Sequence, residues 1–236
     1  MRLLTMLITF ICAVVACFMV NGFAPNGQTA FQIVSRFPVP ISPSPVILYF
    51  WIAVYGAIAV SFFAYRKNGA PIPLLHTALF NLSMLTHALT FFSWQQQLFT
   101  LSVVFAFFTP LLSFYMYVAF YKHATPNQWT KRIPISLFIS FCSCLFLWEA
   151  AFVITYVEWH GFGLSEQLWG VLLLTCALVL GMYIRYLYDD PYFLIAYAWL
   201  FICIIIEHHV HNLFVSAAAL FLCIVTLLAM KYAKKA

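Results

Sequence analysis

The stretch 133–157, IPISLFISFCSCLFLWEAAFVITYV, runs for 25 residues with a single charged side chain, Glu149. A helix rises ~1.5 Å per residue and the hydrocarbon core of a bilayer is ~30 Å thick, so about 20 apolar residues cross it. This run is long enough, and Lys131 and Arg132 stand directly before it. Working outward, breaks at charged, amide and Gly/Pro clusters predict seven more such runs. The full set is 3–22, 46–65, 75–93, 97–121, 133–157, 167–187, 191–208 and 212–230.

Composition agrees with that reading. Apolar residues make up 65% of the chain, charged residues 7%, and the mean hydropathy is +0.99. Soluble domains carry about 45–50% apolar and about 25% charged residues. The predicted fold class is therefore all-α: a polytopic membrane helix bundle of about eight transmembrane helices without a soluble domain. No GxSxG, P-loop, HExxH or GxGxxG motif is present, so the usual signatures of soluble enzymes are missing.

Topology follows from the basic residues. With the N-terminus inside, Arg2, Arg66, Lys67, Lys122, Lys131, Arg132, Arg185, Lys231, Lys234 and Lys235 fall on one side, and Arg36 alone falls opposite. The positive-inside rule then predicts a multi-pass protein of the cell membrane with both termini cytoplasmic. The net charge of +5 follows from this arrangement beside anionic lipids, and it does not argue for nucleic acid. Val14-Val15-Ala16-Cys17 also fits a lipoprotein cleavage pattern, but the segment before it has a single Arg, which favours a span. All seven cysteines lie inside apolar runs without CxxC spacing and read as small packing residues.

Asp189-Asp190-Pro191 reads as a helix stop and restart, with Asp190 as N-cap and Pro191 at the first helical position. Pro110 lies inside the fourth span. The loop from about 23 to 45 holds Pro38, Pro40, Pro43 and Pro45, which predicts an extended, stiff segment over the outer mouth of the bundle.

Polar groups at membrane depth carry the functional information, because each costs about 2.5–3.5 kcal/mol at a helix centre. His87 and Glu149 lie at similar depth in parallel spans, and Trp51 and Tyr55 come to the same level. A polar cluster of His87, Glu149 and Glu207 with aromatic walls is expected in the outer half, with His87 and Glu149 paired. The alternative is that Glu149 hydrogen-bonds a backbone carbonyl as helix glue. In Glu207-His208-His209-x-His211, only His208 with His211, or Glu207 with His211, share a helix face, so His208 and His211 are the candidate metal ligands. An interfacial His-rich turn is the stronger reading of them. His76 and His123 read as interface residues at inner helix ends. Trp94, Trp129, Trp159 and Trp169 read as an aromatic belt. Leu180 through Tyr183 to Arg185, and Leu228 through Tyr232 to Lys234, match the loose cholesterol pattern that a Tyr-rich chain produces by chance.

Three stretches carry a family resemblance. They are Ser42-Pro43-Ser44-Pro45 followed by Trp51 and Tyr55, Arg132-Ile133-Pro134-Ile135-Ser136 leading into Phe138 and Phe141, and Ser165-Glu166-Gln167-Leu168-Trp169. Together they resemble the tryptophan-rich sensory proteins (TspO/MBR), especially the longer bacterial relatives with extra C-terminal helices. The resemblance implies a five-helix unit over residues 1–160 and three additional helices over 161–236. It also implies a cavity, capped by the first long loop, that takes up porphyrins or other flat hydrophobic molecules. Where the family has Asn and Trp in the third helix, this chain has His87 and Thr90; in the fifth, Trp and Asn become Phe141 and Glu149.

The expected ligand-binding residues are Trp51, Tyr55, His87, Thr90, Phe141, Trp148, Glu149 and Glu207. The expected function is an integral membrane binding protein or sensor for a porphyrin-like or lipid-like molecule. Porphyrin or haem is the implied cofactor, the small molecule and the lipid bilayer are the partners, and a homo-oligomer is left open. The rival is a proton- or metal-coupled transporter using His87, Glu149 and the Glu207–His211 turn. A membrane-embedded enzyme with His87 as base ranks last, because no nucleophile or metal triad accompanies it.

Overall fold

The computed structural model describes residues 1–37, 39–68, 71–122, 131–159 and 161–233. Pro38, His123, Trp129, Lys234 and Lys235 lie outside the described residues. Among those described, the chain is helical with no strand. Helix α1 (Arg2–Phe18) continues through a π turn (Met19–Phe23), and the short α2 (Ala30–Val34) follows. Then come α3 (Ile47–Asn68), α4 (Leu74–Gln95), α5 (Phe99–Phe120), α6 (Arg132–Tyr156), α7 (Glu166–Tyr188), α8 (Ile195–His208) and α9 (Leu213–Tyr232). The long helices coincide with the eight predicted spans to within about four residues at each end.

Seven of these spans are long and apolar enough to cross a membrane. The exception is α4, which has the length, 22 residues, but holds His76, Asn81, Ser83, Thr86, His87 and Thr90. Most of these polar side chains are buried because α4 is the central staff of the bundle, packed between α1 and α5. Its hydroxyls close hydrogen bonds with α5: Thr109 Oγ1 donates to Thr86 Oγ1 at 3.0 Å, and Ser83 bonds Ser113. Such interhelical bonds give α4 the adhesion that apolar contact with lipid cannot supply.

The loop over one end of the bundle is not wholly extended. Thr29 and Gln32 form a capping box that starts α2, and Ala30, Ile33 and Val34 turn into the core. Asn26 Nδ2 donates to the Gln95 carbonyl at 2.9 Å, tying this cap to the end of α4. Ile41 lies so close to α7 that a Cβ on Gly170 would sit 2.5 Å from its Cγ2. Glycine is needed there for the close approach.

At the opposite end, where Arg2, Arg66 and Lys131 lie, Asp190 caps the 3-10 turn Pro191–Leu194 by accepting from Tyr192 N at 3.1 Å, with Pro191 at the first helical position as expected. Its second oxygen does more. Asp190 Oδ2 accepts from Arg132 Nε at 3.1 Å, from Tyr117 Oη at 2.9 Å and from Ser136 Oγ at 2.5 Å. Arg132 also donates to the Tyr188 carbonyl. Arg132 was expected at the membrane surface as a topology marker; it is 2% exposed and buried beside its acid. The charge is satisfied inside because α5, α6 and the α7–α8 turn each contribute to one network.

Candidate functional site

Under the cap lies a narrow recess with about 30 Å³ of open space, room for a water-sized group. On α6, Phe141, Leu145 and Trp148 repeat at helical spacing and form one wall with Glu149 beside them. Trp51 comes from α3, Phe91 and Trp94 from α4, and Asn21 from the end of α1. Phe31 of α2 closes over the top, lying flat against Trp148 with ring centres 5.6 Å apart.

Trp51 is the hinge of the aromatic wall. It stacks on His87 at 5.2 Å and meets Phe91 at 4.8 Å, Phe141 at 5.0 Å and Tyr55 at 5.5 Å edge to face. Behind it, Tyr55 Oη and His87 Nε2 share a 3.0 Å hydrogen bond, and Cys142 Sγ lies 3.9 Å from His87 Nδ1. His87 therefore supports the wall and does not line the recess.

The expected His87–Glu149 pair does not form, since neither makes an ion pair among the described residues. Imidazole and carboxyl look to different helices. Glu149 Oε2 lies 2.7 Å from the Ser102 hydroxyl of α5, and the same hydroxyl lies 3.0 Å from the Thr90 carbonyl. Thr90 is fully buried and bonds Thr86 O through its own hydroxyl, so it positions Ser102 without facing the recess.

Glu207 stands apart. It is exposed, one turn beyond Ile204, where α8 leaves its packing partners, and so it does not join the cluster. His208 is partly buried and its Nε2 has no hydrogen-bond partner, whereas His211 is exposed. Among the described residues no group of three or more His, Cys, Asp or Glu is placed to hold a metal ion.

Two further outcomes differ from expectation. Trp94 is 3% exposed and lines the recess, where it meets Trp148 at 6.0 Å; it is no interfacial anchor. The indole N–H groups of Trp94 and Trp148 are both buried without an acceptor. His76 is likewise buried, with Nε2 bonded to Tyr121 Oη at 2.6 Å and Tyr65 alongside. Trp159 is 38% exposed, and Trp169 donates to the Gly161 carbonyl at 2.7 Å near the mouth of the loops.

A bundle of membrane-length helices capped at one end defines a multi-pass membrane protein. The chain belongs to the family described as TSPO-like protein, whose model matches residues 3–232. No curated protein and no solved structure matches the chain.

Proposed function

We propose that this protein binds a flat, largely apolar molecule carrying hydrogen-bond acceptors, of the porphyrin type, in the recess beneath α2. The observation that carries this reading is the pair of acceptor-less indole N–H groups, Trp94 and Trp148, within an otherwise aromatic wall. A buried donor left unpaired costs about 1–3 kcal/mol, so a carbonyl or carboxylate placed between them recovers that cost on binding. The apolar rings supply stacking area, and because the recess as closed holds only about 30 Å³, α2 with Phe31 must lift for a molecule of this size to enter. Trp51, Phe141, Trp148 and Glu149 touch the ligand in this reading, while Tyr55, His87 and Thr90 hold the wall behind them. His87 is too deep to ligate a haem iron. Residues 1–160 form the binding unit, and 161–236 are three added helices clamped on through Arg132 and Asp190. The capped end faces outward from the cell membrane, with the basic end on the cytoplasmic side.

Titration of the detergent-purified protein with protoporphyrin IX, followed by tryptophan quenching, tests this. Saturable binding is expected, weakened about tenfold in Trp148→Phe, which keeps the ring and removes the donor, in line with ~1–1.5 kcal/mol for one hydrogen bond. Absence of saturation, or an unchanged midpoint in Trp148→Phe, would sink the reading.

A second reading, proton coupling through Glu149, has one observation in its favour. The Ser102 hydroxyl has one proton but two acceptors in reach, so all three groups are satisfied when the carboxyl itself carries a proton. Glu149→Gln separates the two readings: it keeps a hydrogen-bonding partner for Ser102, so porphyrin binding should stay within about threefold of wild type, the size of a ~0.6 kcal/mol perturbation. If instead a pH gradient drives uptake into liposomes, and Glu149→Gln abolishes it, the transporter reading takes over.

A further inference from the structure

We infer a specific phospholipid site in the groove between α1 and α3, separate from the capped recess. Helix α1 packs along α4 and touches α3 sparsely, mainly where Phe10 meets Phe62 at 5.5 Å and Tyr55 at 5.9 Å. Toward the basic end the two helices part, leaving a groove of about 530 Å³. Leu3, Leu7 and Phe10 form one wall and Ala59, Phe63 and Arg66 the other.

Length and charge identify the occupant. From Leu3 to Phe10, and from Ala59 to Arg66, the groove runs seven helical rises, or about 10 Å, within a leaflet roughly 15 Å thick. Phe10 ends it, buried and braced by two rings, so the groove serves one leaflet only. A transmembrane helix of a second copy would overrun that stop. Apart from Arg66 its walls are hydrocarbon, which suits an acyl chain. At its open end Arg66 and Lys67 are exposed. Among the described residues the ion pairs are Arg132–Asp190 and Arg185–Asp189, so no carboxylate neutralises Arg66. Arg2, nearby in the fold, donates to the Ile72 carbonyl at 2.6 Å and so fixes the start of α1 beside the α3–α4 loop. An apolar slot of leaflet depth with a guanidinium at its rim fits an anionic glycerophospholipid, tail in the groove and phosphate on Arg66.

Native mass spectrometry of the full chain in mixed micelles with equimolar palmitoyl-oleoyl phosphatidylglycerol and phosphatidylcholine tests the site. One retained lipid is expected, with phosphatidylglycerol favoured about fivefold, the worth of one basic side chain near an anionic head group. Arg66→Gln should bring that ratio close to one while lipid is still retained. Leu7→Trp, at a position 38% exposed, should fill the groove and remove the retained lipid of both kinds. Ala59→Phe narrows the opposite wall and serves the same purpose if Leu7→Trp is poorly produced. A wild-type protein that retains no lipid, a dimer in its place, an unchanged ratio in Arg66→Gln, or full occupancy in both groove-filling variants would each overturn the site.

Discussion

Asp190→Ala is expected to destabilise the protein by about 3–5 kcal/mol, the usual cost of removing one partner from a buried ion pair. Asp190 is fully buried and Arg132 is 2% exposed, so neither reaches solvent for compensation. The substitution removes the acceptor of Arg132 Nε, Tyr117 Oη and Ser136 Oγ together, and with it the cap on Tyr192 N. It leaves a guanidinium whose remaining partners include the Tyr188 carbonyl and the Tyr117 hydroxyl, 3.0 Å from Nε. Tyr117 also presents its ring at 5.7 Å from the guanidinium carbon, a contact too weak to replace a carboxylate. Denaturant unfolding in mixed micelles measures the loss. The double variant Arg132→Met with Asp190→Ala should be less destabilised than Asp190→Ala alone, because the stranded charge is gone. A single-variant cost under about 1 kcal/mol, typical of an exposed pair, would show that water enters this junction.

That network also marks where sequence reasoning reaches its end. The spans were legible because hydropathy over 20 residues is a local quantity, and the Asp190-Pro191 restart was legible because capping acts within three residues. The partner of Asp190 lies 58 residues away on another helix, and no local pattern joins them. Arg132 shares its position with other basic residues at helix ends, so as a sequence it looks like a topology marker. Helix α2 was a different kind of miss: Thr29-x-x-Gln32 is a capping-box signal in plain view, outweighed by the prolines that follow it. Trp94 was placed at an interface because it stands near a helix end, yet the cap folds back over that end and buries it. Matching His87 with Glu149 by depth placed them at a common level but said nothing of azimuth, and each turned to a hydroxyl on a different helix. Glu207 shows the converse: Cys203 and Ile204, about one turn back, are buried, but the bundle ends there and Ile206 and Glu207 are exposed. Depth and helix ends can be read from one chain; the rotation of each helix about its axis depends on neighbours that are distant in sequence.

Trp51→Ala should reduce both stability and binding, and the contrast with Trp148→Phe gives the substitution its value. Trp51 is 5% exposed and touches four aromatic rings, so its removal opens a cavity costing about 3–5 kcal/mol. Phe91 and Phe141 then lose the surface that holds them upright, and the Tyr55–His87 bond behind them is laid open to the recess. Protoporphyrin affinity should fall at least thirtyfold, the ~2 kcal/mol expected of a central aromatic anchor. Trp148→Phe, by contrast, removes a donor without emptying space, and is expected to weaken binding with little change in the unfolding midpoint. Trp51→Phe keeps a ring against His87 and should recover most of the stability and much of the affinity. The two measurements together separate a wall from a contact: a wall residue changes both, and a contact residue changes binding alone. If Trp51→Ala unfolds more readily yet binds porphyrin with the wild-type midpoint, the molecule sits elsewhere on the bundle and the recess beneath α2 is only packing.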